Sequence, residues 1–138
     1  MVARPADILF VSKPLSPPWD DSGKLLPYLV ARHLDPAACR VEVPVPRGCP
    51  LDLPGVASWP VYSRDSSFAV PRGDKIRLLA SLLARRLPPV VHFFFSPNAA
   101  TSLAARAVRI RHPRTRFVQT VMSLPAEDAA LDGGLFAD

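Results

Sequence analysis

The run Val90-Val91-His92-Phe93-Phe94-Phe95 constrains this chain more than any other stretch. It is too short to span a membrane and too continuously apolar for a sheet with one wet face. A strand buried on both faces, as in the middle of a parallel sheet, fits it. Ser96-Pro97-Asn98 ends the run, and Asn98 is a suitable N-cap for a helix over Ala99–Ile110. Ligands of parallel α/β proteins bind at the C-terminal ends of such strands. The tip after Phe95 is therefore where a site is expected. A core strand followed by an ordinary turn reads equally simply.

The rest of the chain alternates in the same way. Asp7–Ser12 holds Ile8, Leu9, Phe10 and Val11 in succession and reads as the first strand. Lys13–Gly23 is a proline-rich loop, in which Asp or Ser can cap the next helix. Leu25, Leu26, Leu29, Val30 and His33 or Leu34 recur at helical spacing, and Pro27 requires that helix to begin close to Lys24–Leu26. Cys39–Val45 alternates and carries charge and a proline, which points to a strand near an edge. Pro46–Pro60 reads as loop, with room for a short strand over Val56–Val61. Asp74–Leu87 is an amphipathic helix whose apolar face is Ile76, Leu79, Ala80, Leu83 and Leu87, stopped by Pro88-Pro89. In the helix Ala99–Ile110, Leu103, Ala104, Ala107 and Val108 are expected to face inward. Arg116–Val121 is the last strand, with Met122 and Ser123 at its end.

Strands alternating with helices predict an α/β fold: a Rossmann-like open parallel sheet with flanking helices. Residues 1–138 suit one domain. The final units of a doubly wound domain do not follow the last strand, so the sheet is expected to be incomplete, with an apolar edge prone to aggregation.

Charge is uneven. From Arg72 to Arg116, Asp74 is the one acid among many arginines, whereas the chain after Arg116 has four acids and no base. Such a basic stretch attracts anionic lipid, phosphorylated ligands or nucleic acid, or is simply the wet side of two helices. No nucleic-acid motif or aromatic-interleaved basic patch accompanies it. Cys39 and Cys49 make neither a disulfide framework nor a metal motif, and a reducing, cytoplasmic setting is the default.

Few residues carry recognisable chemistry. Ser22-Gly23-Lys24 sits between a strand and a helix, but Pro18 and Leu25 stand where a phosphate loop needs Gly and Ser or Thr. What remains is a glycine that lets a ligand approach the backbone, or a plain helix cap. His92 has no carboxylate or nucleophile beside it in sequence, so catalysis does not follow from it. Ser96 lacks the nucleophile-elbow pattern. Trp19 either closes over a ligand or pins its loop. No cofactor motif is present.

Taken together, Asp7-Ile8-Leu9-Phe10-Val11-Ser12, the loop with Gly23, Pro89-Val90-Val91-His92, Ser96-Pro97-Asn98 and Phe117-Val118-Gln119-Thr120-Val121 resemble the N-terminal domain of GT-B glycosyltransferases of family 4 (group 1). The resemblance implies an acceptor-side domain facing a second, donor-binding domain across a cleft. It implies a retaining transfer of sugar from a nucleotide-diphosphate sugar to a carbohydrate or lipid acceptor. It places donor or acceptor contacts at Ser22, Gly23, Lys24, His92, Ser96, Asn98, Thr120, Met122 and Ser123. The family's Gly-Gly pair is here Ser22-Gly23. Phe94 and Met122 stand where two of its histidines often lie. Residues 1–138 hold no donor-binding domain, so this chain alone is expected to be inactive, the N-terminal part of a longer enzyme. Peripheral contact with an anionic membrane is a further implication, and nucleic acid is not an expected partner. The alternative is a non-catalytic α/β binding or interaction module.

Overall fold

The computed structural model describes residues 4–65, 70–95 and 99–120. Eight elements follow one another: β1 (Ile8–Val11), α1 (Ser22–His33), β2 (Val41–Pro46), β3 (Val56–Tyr62), α2 (Arg72–Ala84), β4 (Val90–Phe93), α3 (Ala99–Arg111) and β5 (Arg116–Gln119). The strands form one five-stranded sheet in the order β3-β2-β1-β4-β5. All four pairings are parallel. This is a small α/β domain of generic Rossmann-like form.

The alternation of side chains along each strand sorts the core into two layers. Phe10, Val41, Val43, Val45 and Phe94 face α1, where Leu26, Val30, Ala31 and Leu34 cover them. Leu9, Val11, Val91 and Phe93 face the other way, against Leu78 and Leu82 of α2 and Val108 of α3. Burial on both faces explains why β1 and β4 read as unbroken apolar runs.

Of four expectations about the elements, the first is met and three need correction. First, β2 lies second from the edge, between β1 and the edge strand β3, and so is nearer an edge than central β1, as expected. Its prolines are tolerated because β1 pairs only with Val41 and Glu42, and the register with β3 shifts between Pro44 and Pro46. Its charge is tolerated because Glu42 pairs with Arg85 at 2.5 Å. The guanidinium of Arg85 also lies 4.9 Å from the ring centre of Trp59. Second, α2 starts at Arg72 and turns Asp74, Leu78 and Leu82 inward, leaving Ile76 62% exposed. Leu79, Leu83 and Leu87 pack at the margin of that core. Third, α3 buries Val108 and leaves Leu103 69% exposed. Fourth, α1 begins at Ser22, before Lys24, because Asp21 caps it.

The short strand foreseen over Val56–Val61 is β3. It joins β2 through residues 47–55 with no helix, so this crossover departs from the β-α-β pattern. Gly55 makes the close turn workable. Its φ is +73°, and a side chain there would meet Pro36 Cβ at 2.6 Å.

Candidate functional site

The order of the sheet reverses between β1 and β4. β1 leads to β2 on one side, and β4 leads to β5 on the other. Such a switch point leaves a crevice beyond the C-terminal ends of the two strands, where open α/β sheets bind ligands. The strands remain joined to that edge: Phe94 N–H donates to Val11 O at 2.9 Å.

On the β1 side of this switch point lies a dense polar cluster. Buried Ser12 ends β1, and its carbonyl accepts a hydrogen bond from the Tyr62 hydroxyl. Burial pushes the Tyr62 phenol well above its ordinary range, so it stays a donor. At the start of α1, Asp21 Oδ1 accepts from Gly23 N–H at 2.7 Å, and Asp21 Oδ2 accepts from Lys13 Nζ at 2.7 Å. The backbone carbonyl of Asp21 accepts from Lys24 and Leu25 N–H. A Cβ at Gly23 would lie 3.1 Å from Asp21 Oδ1 and 3.2 Å from Lys13 Cδ, so these side chains would have to shift by a few tenths of an ångström to admit one. The space over this glycine is thus filled by the Lys13 stem and the capping carboxylate.

Lys24 points the other way and is fully buried. Its ammonium donates to Asp65 Oδ1 at 2.7 Å, and Ser16 Oγ donates to the same oxygen at 2.7 Å. Beyond it, the buried Asp74 carboxylate accepts from Ser63 Oγ at 2.8 Å and pairs with Arg77 at 3.2 Å. These bonds tie the segment after β3 to α1 and α2. Trp19 stacks on Tyr28 of α1 with ring centres 4.1 Å apart, which pins the proline loop.

On the β4 side, His92 stacks on Phe94 at 4.1 Å and meets the edge of Phe10 at 5.7 Å. Its Nε2 lies 2.6 Å from Thr120 Oγ1, just past β5. Burial lowers the His92 pKa below its ordinary value of 6.5, so the ring is neutral at physiological pH.

The structure thus brings together His92 and Thr120 at one pair of strand ends, and Gly23 and Lys24 at the start of α1, where Ser22 is exposed. Ser96, Asn98, Met122 and Ser123 lie outside the described residues. Lys13, Ser16, Asp21 and Asp65 were not singled out by motif. Asp21 had a local signal, an acid two residues before a glycine at a helix start. Asp65 had none, because its partner is 41 positions away.

Among the described residues no group of three His, Cys, Asp or Glu side chains could hold a metal ion. No helix among them is long and apolar enough to cross a membrane. Comparison with protein-family models, curated proteins and solved structures finds no match in any of the three. The geometry alone carries the functional reading.

Two outcomes test this geometry. Asp65→Ala should destabilise the fold by about 3–5 kcal/mol in urea unfolding, because it strips a counter-ion from a buried ammonium. Adding Lys24→Met should recover most of that loss, and an unchanged midpoint in the single variant would refute the assignment. His92 binds a proton less readily folded than unfolded, so its contribution is present above about pH 6.5 and is lost as pH falls below it. Stability should therefore drop less steeply on acidification in His92→Gln than in the parent chain. Equal slopes would place the titrating group elsewhere.

Proposed function

We propose that this chain is a non-catalytic α/β binding module. Its ligand site would be the crevice beyond β1 and β4, and its ligand an uncharged, hydroxyl-bearing small molecule. One observation carries the reading. The two places around the first turn of α1 that suit an anion are already taken by the chain's own carboxylates, Asp21 and Asp65. A phosphate reaching Gly23 N–H would have to displace a charge-assisted cap. What the β4 side offers is neutral: an imidazole and a hydroxyl in contact, beside aromatic rings. Such a surface suits hydroxyls that both donate and accept.

A second reading is favoured by the meeting of His92 and Thr120 and by the strand order. Here the chain is the acceptor-side, N-terminal part of a retaining GT-B glycosyltransferase. The hydroxyl-bearing ligand would be a carbohydrate or lipid-linked acceptor, and the nucleotide-diphosphate sugar would depend on a second domain. Peripheral contact with an anionic membrane belongs with this reading. Leu103 and Ile110 are 69% and 77% exposed on one face of α3, with Arg106 and Arg111 on either side of them.

One set of titrations, followed by backbone amide shifts, separates these readings. Neutral sugars should perturb the amides of Ser12, Lys13, His92, Phe94 and Thr120, and His92→Ala should weaken them roughly tenfold. Tight binding of a nucleoside diphosphate at Gly23 and Lys24 would overturn the module reading and favour a donor site. In the same series, vesicles rich in anionic lipid should bind better than neutral ones. Equal binding would remove the membrane contact.

A further inference from the structure

We propose that the outer edge of β5, which has no strand beside it among the described residues, is a docking groove for an extended acidic segment of a partner protein, which adds to the sheet as a sixth strand. Among the described residues β5 has β4 as its one neighbour in the sheet. Arg116 N–H donates to Pro89 O at 2.8 Å and Thr120 N–H to Phe93 O at 2.9 Å. Backbone groups alternate sides along a strand, so Arg116, Val118 and Thr120 turn theirs toward β4. Phe117 and Gln119 therefore turn their N–H and C=O groups outward, to the open edge. Strand addition uses such groups.

The edge lies beside a shaped space. A groove of about 290 Å³ runs between α3 and β5, with Phe93, Ala105 and Phe117 as apolar lining and Arg106 and Arg109 as cationic lining. Val118, on the edge itself, is 46% exposed. An all-parallel sheet is normally covered, and an exposed edge with apolar side chains is a template for another chain.

Charge decides what that chain is. Two arginines of α2 and its end are matched, Arg77 by Asp74 and Arg85 by Glu42. Arg106 and Arg109 have no acidic partner among the described residues. The sequence from Arg72 to Arg116 has a single acid, Asp74, which is already engaged. A second copy of this chain would bring the same arginines to the same edge, and like charges would oppose the pairing. An extended segment rich in Asp or Glu meets both needs. Its backbone takes the outward groups of Phe117 and Gln119, and its carboxylates reach the two guanidiniums as charge-assisted pairs.

The test is fluorescence anisotropy of a short labelled peptide of alternating Glu and Val against the full chain, with a Lys and Val peptide as control. Saturable binding of the acidic peptide alone is expected. Arg106→Glu with Arg109→Glu should weaken it roughly tenfold or more. Gln119→Pro, which removes an outward N–H and spares the β4 ladder, should weaken it comparably at unchanged thermal midpoint. If that variant does not fold, slowed amide exchange at Phe117 and Gln119 on adding peptide to the parent chain is the deciding sign. Loss of binding in the arginine variant with no effect of Gln119→Pro, or with no protection of those amides, would reduce the groove to charge attraction and overturn strand addition. Binding that appears only when Glu127, Asp128, Asp132 and Asp138 are all amidated would give the groove to the chain's own acidic segment. Self-association abolished by Gln119→Pro would give it to a second copy. Either result would overturn the assignment to a partner.

Discussion

The parallel pairing of β1 with β4 is the contact on which the remainder of the domain depends. Ile8, Leu9, Phe10 and Val11 lie in register with Val90, Val91, His92 and Phe93. On one side of this seam stand β2 and β3, and on the other β5. The seam also contributes to both cores, with Leu9, Val11, Val91 and Phe93 on one face and Phe10 and Phe94 on the other. Each deeply buried side chain of this kind adds about 1.5–3 kcal/mol relative to exposure. The same seam sets the switch point of the sheet, because the chain leaves β1 and β4 in opposite directions.

Polar matching around α1 follows from that placement. Lys24 enters a position with no exposure, and a buried ammonium is tolerable only with a hydrogen-bonded counter-ion. Asp65 fills that role and Ser16 supports it. Asp21 does the same for the helix start and for Lys13. Closing these charges on itself, the chain ties Ser16, beyond β1, and Asp65, beyond β3, to α1. It also leaves little cationic demand for a ligand phosphate, which is why a neutral ligand suits the crevice better.

Much of the sheet was legible in the sequence, since a strand buried on both faces has a composition that few other elements share. β1 and β4 announced themselves, and Pro88-Pro89 marked the approach to β4. β2 was legible as a strand nearer an edge, but the short pairing with β1 and the partner Arg85 that accommodate its prolines and Glu42 were not. The helix faces were ambiguous for a physical reason. In α2 both Ile76-Leu79-Leu83 and Leu78-Leu82 keep helical spacing, and only the sheet decides which set is inside. At the site, Gly23 and His92 could be found by position. The pairing of Lys24 with Asp65 could not, since nothing local foretells a contact between a helix and a distant loop.

Native-state amide hydrogen exchange tests the central role of the β1–β4 seam most directly. The expected result is that Leu9, Val11, Val91 and Phe93 exchange only through global unfolding, while amides of β3, β5 and residues 47–55 open at lower free energy. Exchange at β1 and β4 that is as fast as at β5 would contradict the placement of the seam at the centre of the domain.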